Sequence, residues 1–288
     1  MKKNKKLALL TCYFGKLPWY FNYFAHSCKY NPTVDFFLIT DDNSYFKPLP
    51  PNLKLIHSAL GEINDIATEK LGFPINITYG YKLCDFKPAY GLIFSDLLQS
   101  YEWWGHIDLD IIFGDIRNFM TDELLDNYDL ISVRPDWLPG CFLLFKNTNK
   151  INTLFTHSKD YKKVFSSDKH YCFDETNFAH DEFTEGKSYL KVDTEIESMM
   201  HVVKRLEANN HIKPYFDLHI IEGVPGKLKW ENGKLFYRGR YEILLYHLIR
   251  LKKHYAPKTK KVNVPDKFSI SPTKIYHQPN LKTVINDF

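Results

Sequence analysis

The chain is poor in cysteine. It carries five in 288 residues (Cys12, Cys28, Cys84, Cys141 and Cys172), odd in number, dispersed, and with no Cys-x-x-Cys pair. That pattern argues against a disulfide scaffold and for a reduced, intracellular setting. No apolar run reaches the roughly 20 residues that a membrane-spanning helix needs. No Gly-x-Gly-x-x-Gly occurs, which disfavours a dinucleotide-binding fold of the usual kind. Internal repeats and low-complexity segments are lacking. The formal net charge is only +4, which gives no sign of a nucleic-acid partner.

The charge that exists is gathered at the ends. Lys2, Lys3, Lys5 and Lys6 open the chain and run into the apolar Leu7–Leu10. This resembles a secretion signal, but the run is short, Thr11 is a poor cleavage-site residue and no Ala-x-Ala follows. A first core strand is the expectation. From Arg250 onward there are nine Lys or Arg (Arg250, Lys252, Lys253, Lys258, Lys260, Lys261, Lys267, Lys274, Lys282) against Asp266 and Asp287. Such a tail suits either solvent or an anionic membrane surface. The expected location is the cytoplasm, with peripheral contact on the inner face of the membrane left open.

Hydrophobic residues make up 44% of the chain, enough for a sizeable core. Leu7 to Tyr13, Asp35 to Thr40 and Leu53 to His57 read as strands, with an aromatic helix from Trp19 to Tyr30 between the first two. The pattern is β-α-β, hence an α/β fold with a mostly parallel sheet flanked by helices. Ligands of such sheets bind beyond the carboxyl ends of the strands. That edge would carry Thr11, Cys12, Tyr13 and Phe14, and Asp41. Further helices are expected over Gly61–Leu71, Pro88–Ser100, Ile151–Phe165, Thr194–Ala208 (with a Thr194-x-x-Glu197 capping box) and Arg240–His254. Strands are expected at Asp129–Val133 and Cys141–Lys146, and a hairpin at Leu228–Tyr237 turning on Asn232-Gly233. One domain is expected over residues 1–255, with halves divided near 115, followed by a loosely attached basic tail, 256–288.

The informative stretch is Trp103-Trp104-Gly105-His106-Ile107-Asp108-Leu109-Asp110-Ile111-Ile112-Phe113-Gly114-Asp115. A buried apolar strand ends in two carboxylates one residue apart, and a second apolar run follows. Two acids crowded at a strand end repel unless a cation lies between them. Mg2+ or Mn2+ commonly takes one or two carboxylates together with phosphate oxygens. Asp85 and Lys87 open the Pro88–Ser100 helix, where anions are favoured. Gly140 precedes a strand and allows close backbone approach to a ligand. His170, Asp174, Glu175, His180, Asp181 and Glu182 crowd one segment; their spacing matches no standard zinc pattern, and an acid-bearing active-site loop is the better reading.

These pieces resemble the GT-A class of nucleotide-sugar glycosyltransferases, in particular bacterial members associated with capsule and lipopolysaccharide synthesis. The matching stretches are Leu-Leu-Thr-Cys-Tyr-Phe-Gly (9–15), Phe-Leu-Ile-Thr-Asp (37–41), Lys-Leu-Cys-Asp-Phe-Lys-Pro (82–88), His-Ile-Asp-Leu-Asp (106–110), Pro-Gly-Cys-Phe (139–142), Phe-Asp-Glu (173–175) and Tyr-His-Leu-Ile-Arg-Leu-Lys (246–252). The resemblance implies a GT-A fold, a nucleotide-sugar donor (a UDP-hexose), a saccharide or lipid-linked saccharide acceptor, and Mn2+ or Mg2+ held by Asp108 and Asp110. It implies His247 as a third metal ligand. Thr11 to Phe14 and Asp41 would flank the base, Asp85 and Lys87 would face the sugar or phosphates, and Asp174 or Glu175 would serve as base in an inverting reaction. Two rivals remain at this stage: a haloacid-dehalogenase-type phosphatase with Asp108 as nucleophile, and a nucleotide-sugar-binding protein without turnover.

Overall fold

The structure, a computed structural model, describes residues 6–45, 47–257 and 263–277. Lys2, Lys3, Lys5, Lys258, Lys260, Lys261 and Lys282 lie outside them. A seven-stranded sheet runs through the centre. Across it the strands are Leu53–His57, Val34–Thr40, Leu7–Cys12, Trp103–Ile107, Phe142–Lys146, Leu130–Ser132 and Pro214–Phe216. The first four are mutually parallel, Phe142–Lys146 is antiparallel to both its neighbours, and Pro214–Phe216 is parallel to Leu130–Ser132. The fold is therefore mixed α/β with a mostly parallel sheet, as the strand spacing predicts.

Both faces of this sheet are buried, which explains the continuous apolar runs. Leu7, Leu9, Phe36 and Leu38 point into one core with Phe21, Phe24 and Cys28 of the helix Phe21–Lys29. Ala8, Leu10, Phe37 and Ile39 point into the other with Ile63 and Ala67 of the helix Leu60–Leu71. The period of two is the alternation of side chains along a strand. Because the central strands are parallel, Cys12, Thr40 and Ile107 all end on one edge.

Several expected helices are shorter or absent. The Pro88–Ser100 stretch is three short turns, split where Phe94 (φ −103°, ψ 26°) leaves the helical region. The Ile151–Phe165 stretch breaks at Ser158, which is extended. The helix at Thr194–Ala208 starts only at Met199, because Ser198 is extended and Glu197 is engaged by Arg205 and the Lys159 N–H instead of closing a box on Thr194. The largest correction concerns Arg240–His254. Tyr241–Ile243 and Leu245–His247 are strands, and only Leu251–His254 is helical.

The hairpin forms as expected, Leu228–Glu231 against Lys234–Tyr237, with Asn232 (φ 48°) and Gly233 (φ 88°) both left-handed at its turn. It belongs to a five-stranded antiparallel sheet that also takes up Lys267–Ile270 and Ile275–His277. The expected loose tail is thus paired over these residues: Phe268 stacks on Trp230 at 5.1 Å, and Tyr23 meets His277 at 2.7 Å. Among the described residues no helix is long and apolar enough to cross a membrane.

Candidate functional site

A third, three-stranded sheet builds the site. Its order is Ile111–Phe113, Leu245–His247, Ile220–Glu222. The register sets His247 opposite Ile111 on one side and beside Glu222 on the other. The Leu248 N–H then donates to the Asp110 carbonyl at 2.8 Å. Residues in one row of a sheet share a face, so Glu222 and His247 are brought side by side by backbone pairing, and Asp110 reaches His247 from the bend just before Ile111. His247 therefore reaches the acids from a strand, not from the edge of a helix.

The side chains follow. His247 Nε2 lies 3.3 Å from Asp110 Oδ2 and 3.8 Å from Asp108 Oδ2. Its Nδ1 lies 2.8 Å from Glu222 Oε1. Glu222 is also paired with Arg134 at 2.6 Å, and Arg134 is gripped by Asp136 and lies over the Trp137 ring. This is the arrangement in which an outer carboxylate orients an imidazole so that its other nitrogen faces a metal. Ligand atoms of Asp108, Asp110 and His247 all lie within 4.8 Å of one another.

Whether a cation fits can be judged from Asp110. It is buried, yet its Oδ2 has no partner with hydrogen-bond geometry. Lys252 Nζ lies 2.7 Å away and His247 Nε2 3.3 Å away, both off the hydrogen-bonding direction. Asp110 Oδ2 is thus ion-paired in this structure, and a divalent cation between Asp108 and Asp110 would have to displace the Lys252 ammonium and the proton on His247. Two carboxylates and an imidazole suit Mn2+, and the nitrogen weighs against Mg2+, which prefers all-oxygen sets.

Burial alone would raise the Asp110 pKa, but His247 and Lys252 outweigh it and hold the carboxyl well below its usual range. Burial would lower His247, but Cys141, Asp110 and Glu222 outweigh it and hold the imidazole well above its usual value. A competing cluster, Cys141 with Glu222 and His247, shares the same ring. Burial pushes the Cys141 thiol up to about 11, so it is not a ready thiolate ligand.

Lys87 links this centre to the acid-bearing loop. Its ammonium is buried, 2.6 Å from Asp108 Oδ1, 2.8 Å from the Gly140 carbonyl and 3.6 Å from Asp174 Oδ2. Gly140 is a crowded junction. Its N–H donates to Glu175 Oε1, and His106 Nδ1 lies 3.1 Å from its carbonyl. A Cβ there would sit 2.7 Å from Asp174 Oδ2 and 2.8 Å from Glu175 Oε1. Glycine at 140 thus makes room for these acids. Burial drives the Asp174 carboxyl well above its ordinary range, Lys87 only partly offsetting it. Glu175 is pushed up by burial too, but His180, at 2.8 Å, and the Gly140 N–H hold it down at about 2. Cys172, Glu175 and His180 also converge, but Glu175 is already hydrogen-bonded and burial raises the Cys172 thiol.

Asp85 departs from expectation. Its side chain is 0% exposed, so it meets no ligand. It pairs with the equally buried Lys82 at 2.9 Å and accepts from the Tyr171 and Phe173 N–H groups. It is an anchor for the segment leading to Asp174. The Thr11–Phe14 loop and Asp41 lie together at the sheet edge: Tyr13 N–H donates to the Ile39 carbonyl, and Asp41 Oδ1 accepts from the Gly15 N–H at 2.6 Å, fastening the loop that contains Phe14. Thr11 is buried, and burial pushes the Cys12 thiol up to about 12.

Glu222 and Lys252 are absent from the sequence-based site. Glu222 had a signal: Ile220-Ile221-Glu222-Gly223 ends an apolar strand in an acid, as Ile107-Asp108 does. Lys252 had one too: it closes the Tyr-His-Leu-Ile-Arg-Leu-Lys stretch that carries His247.

No curated protein matches the chain. The model of DUF6625, described as a family of unknown function, matches residues 9–279, nearly the whole length, and the chain belongs to that family.

Proposed function

We propose that the protein is a metal-dependent glycosyltransferase of the GT-A type, moving a sugar from a nucleotide-sugar donor, a UDP-hexose in the first instance, to a saccharide or lipid-linked saccharide acceptor. One observation carries the reading. Asp108, Asp110 and His247 converge, with Glu222 behind His247, on the sheet edge where the Thr11–Phe14 loop and Asp41 also end. A nucleotide loop and an incomplete cation shell on one edge suit a nucleoside diphosphate better than either suits a phosphate ester alone.

In this reading Asp108, Asp110 and His247 hold Mn2+ or Mg2+, and a bound cation supplies charge neutralisation for the leaving diphosphate. The remaining work belongs to the chain. Thr11 to Phe14 and Asp41 border the base. Lys87 is committed to Asp108 and Gly140 and is 7% exposed, so its task is to orient Asp108. Lys252, 31% exposed beside Asp110, is the cation with access to a phosphate. Asp174, whose carboxylate form Lys87 favours at 3.6 Å, would take the acceptor proton in an inverting reaction once the acceptor reaches it, because burial otherwise keeps the carboxyl protonated. Glu175 is fixed by Gly140 and His180 and shapes the position of Asp174.

The test is a screen of nucleotide-sugars with and without Mn2+, reading nucleoside diphosphate released. Metal-dependent release from one donor, lost in Asp110→Asn, is the expected result. Binding without release would favour a non-catalytic binding protein, and an aspartyl-phosphate on Asp108 would favour the phosphatase. Neither binding nor release with any donor would overturn the reading.

A further inference from the structure

Two aromatic rings stand exposed beside the site without an evident structural task. Tyr81 is 66% exposed and Phe178 is 59% exposed. They flank His170, whose ring meets Tyr81 at 4.8 Å and Phe178 at 5.7 Å, both edge to face. His170 is itself mostly buried, with Nδ1 3.2 Å from Asp85 Oδ1. The pair is thus mounted on a fixed post.

The backbone under Phe178 is strained. Phe178 has φ 68°, and Asn177 (φ 55°) and Cys172 (φ 52°) share the left-handed region. For a bulky residue that conformation costs roughly 1–2 kcal/mol. The strain is imposed from outside: Asn177 donates to the Tyr171 carbonyl at 2.7 Å and accepts from the Glu195 N–H at 2.8 Å. Burial does not compensate, since the Phe178 ring faces solvent. Strain that is kept in order to present an aromatic ring points to a contact with something outside the chain.

Position says what that contact serves. Tyr81 lies in the turn Gly80–Lys82, which packs against Phe14 of the nucleotide loop: a Cβ on Gly80 would sit 3.1 Å from Phe14 Cβ. Phe178 lies four residues beyond Asp174. Asp85 ties the two segments together, holding Lys82 on one side and the Tyr171 and Phe173 N–H groups on the other. The two rings therefore stand on either side of His170, on segments tied together by Asp85, one packed on Phe14 and the other leading on from Asp174.

We propose that Tyr81 and Phe178, braced by His170, form the acceptor subsite and bind a saccharide ring through its apolar C–H face. The proposal rests on the transferase reading. A pyranose has flat C–H faces and a polar rim, which suits exposed aromatic rings beside polar groups.

The experiment uses the full chain with UDP and Mn2+, and a panel of maltose, cellobiose, lactose and chitobiose, read by saturation-transfer NMR. At least one disaccharide is expected to receive transfer on its ring protons. Tyr81→Ala and Phe178→Gly are each expected to weaken that binding about tenfold. Phe178→Gly also relieves the left-handed strain, so its melting temperature should hold or rise, separating lost binding from lost folding. No disaccharide bound by the wild type, or unchanged affinity in both variants, overturns the subsite. Mn2+-dependent UDP binding on the same samples tells which claim fails: if it persists, only the subsite falls; if the wild type lacks it, the transferase reading falls.

Discussion

Glu222 holds the Nδ1 edge of His247 at 2.8 Å, and this contact decides which nitrogen of the ring faces Asp108 and Asp110. Removing the charge while keeping the shape should loosen the imidazole without unfolding the sheet. Glu222→Gln is expected to weaken Mn2+ binding by about 10- to 100-fold. Titration calorimetry on the folded variant measures it; an unchanged affinity would reduce Glu222 to a partner of Arg134.

The proton on His247 competes with the metal. Burial lowers its pKa, but Cys141, Asp110 and Glu222 outweigh it and hold the value above the usual one, so the metal-free ring keeps its proton to higher pH than an ordinary imidazole. A metal takes the neutral ring, so Mn2+ affinity should rise with pH until the raised pKa is passed, with about one proton released per ion. The metal-free fold runs the other way: the stability contributed by charged His247 is fully present below the ordinary imidazole value and is lost as pH rises through the raised one. Calorimetry in two buffers of different ionisation heat reads the proton count. Affinity constant over roughly pH 6 to 8 would contradict this.

Asp85 separates an anchor from a ligand contact. Asp85→Ala leaves Lys82 charged and buried and frees the Tyr171 and Phe173 N–H groups. The expected cost is about 3–5 kcal/mol of stability. Denaturant unfolding measures it. A variant as stable as the wild type that loses only donor affinity would return Asp85 to the donor site.

Lys252 stands 2.7 Å from Asp110 Oδ2, beside the place a cation would take. Lys252→Met should leave Mn2+ binding by the nucleotide-free protein intact or stronger, since a competing charge is gone. UDP affinity in the presence of Mn2+ should fall by roughly tenfold, one charge-assisted hydrogen bond being lost. Equal UDP affinity in variant and wild type would remove Lys252 from the phosphate site.

The parts of this fold legible in the sequence are those with local signals. Leu7–Cys12, Val34–Thr40 and Leu53–His57 are apolar runs long enough to show themselves, and Asn232-Gly233 marks its hairpin chemically. Asp108 and Asp110 stand out for the same reason. His247 illustrates the limit. Ile243, Leu244, Leu248 and Leu251 have helical spacing, while the strand Leu245–His247 is too short to show a period of its own. What makes it a strand is pairing with Ile111–Phe113, more than 130 residues earlier. Asp85 shows a different limit: its position before Pro88 suggests a helix N-terminus open to anions, and only tertiary packing reveals that Lys82 and two backbone N–H groups already occupy it.

The central claim is that Asp108, Asp110 and His247 hold a cation that in turn holds a nucleoside diphosphate. The most direct measurement is the thermal shift of the protein with UDP, with Mn2+, and with both, in the wild type and in Asp110→Asn. A shift with both together that exceeds the sum of the separate shifts, and that disappears in a folded Asp110→Asn variant, is the predicted result. A shift that Asp110→Asn retains in full, or no coupling between Mn2+ and any nucleoside diphosphate in the wild type, would contradict it.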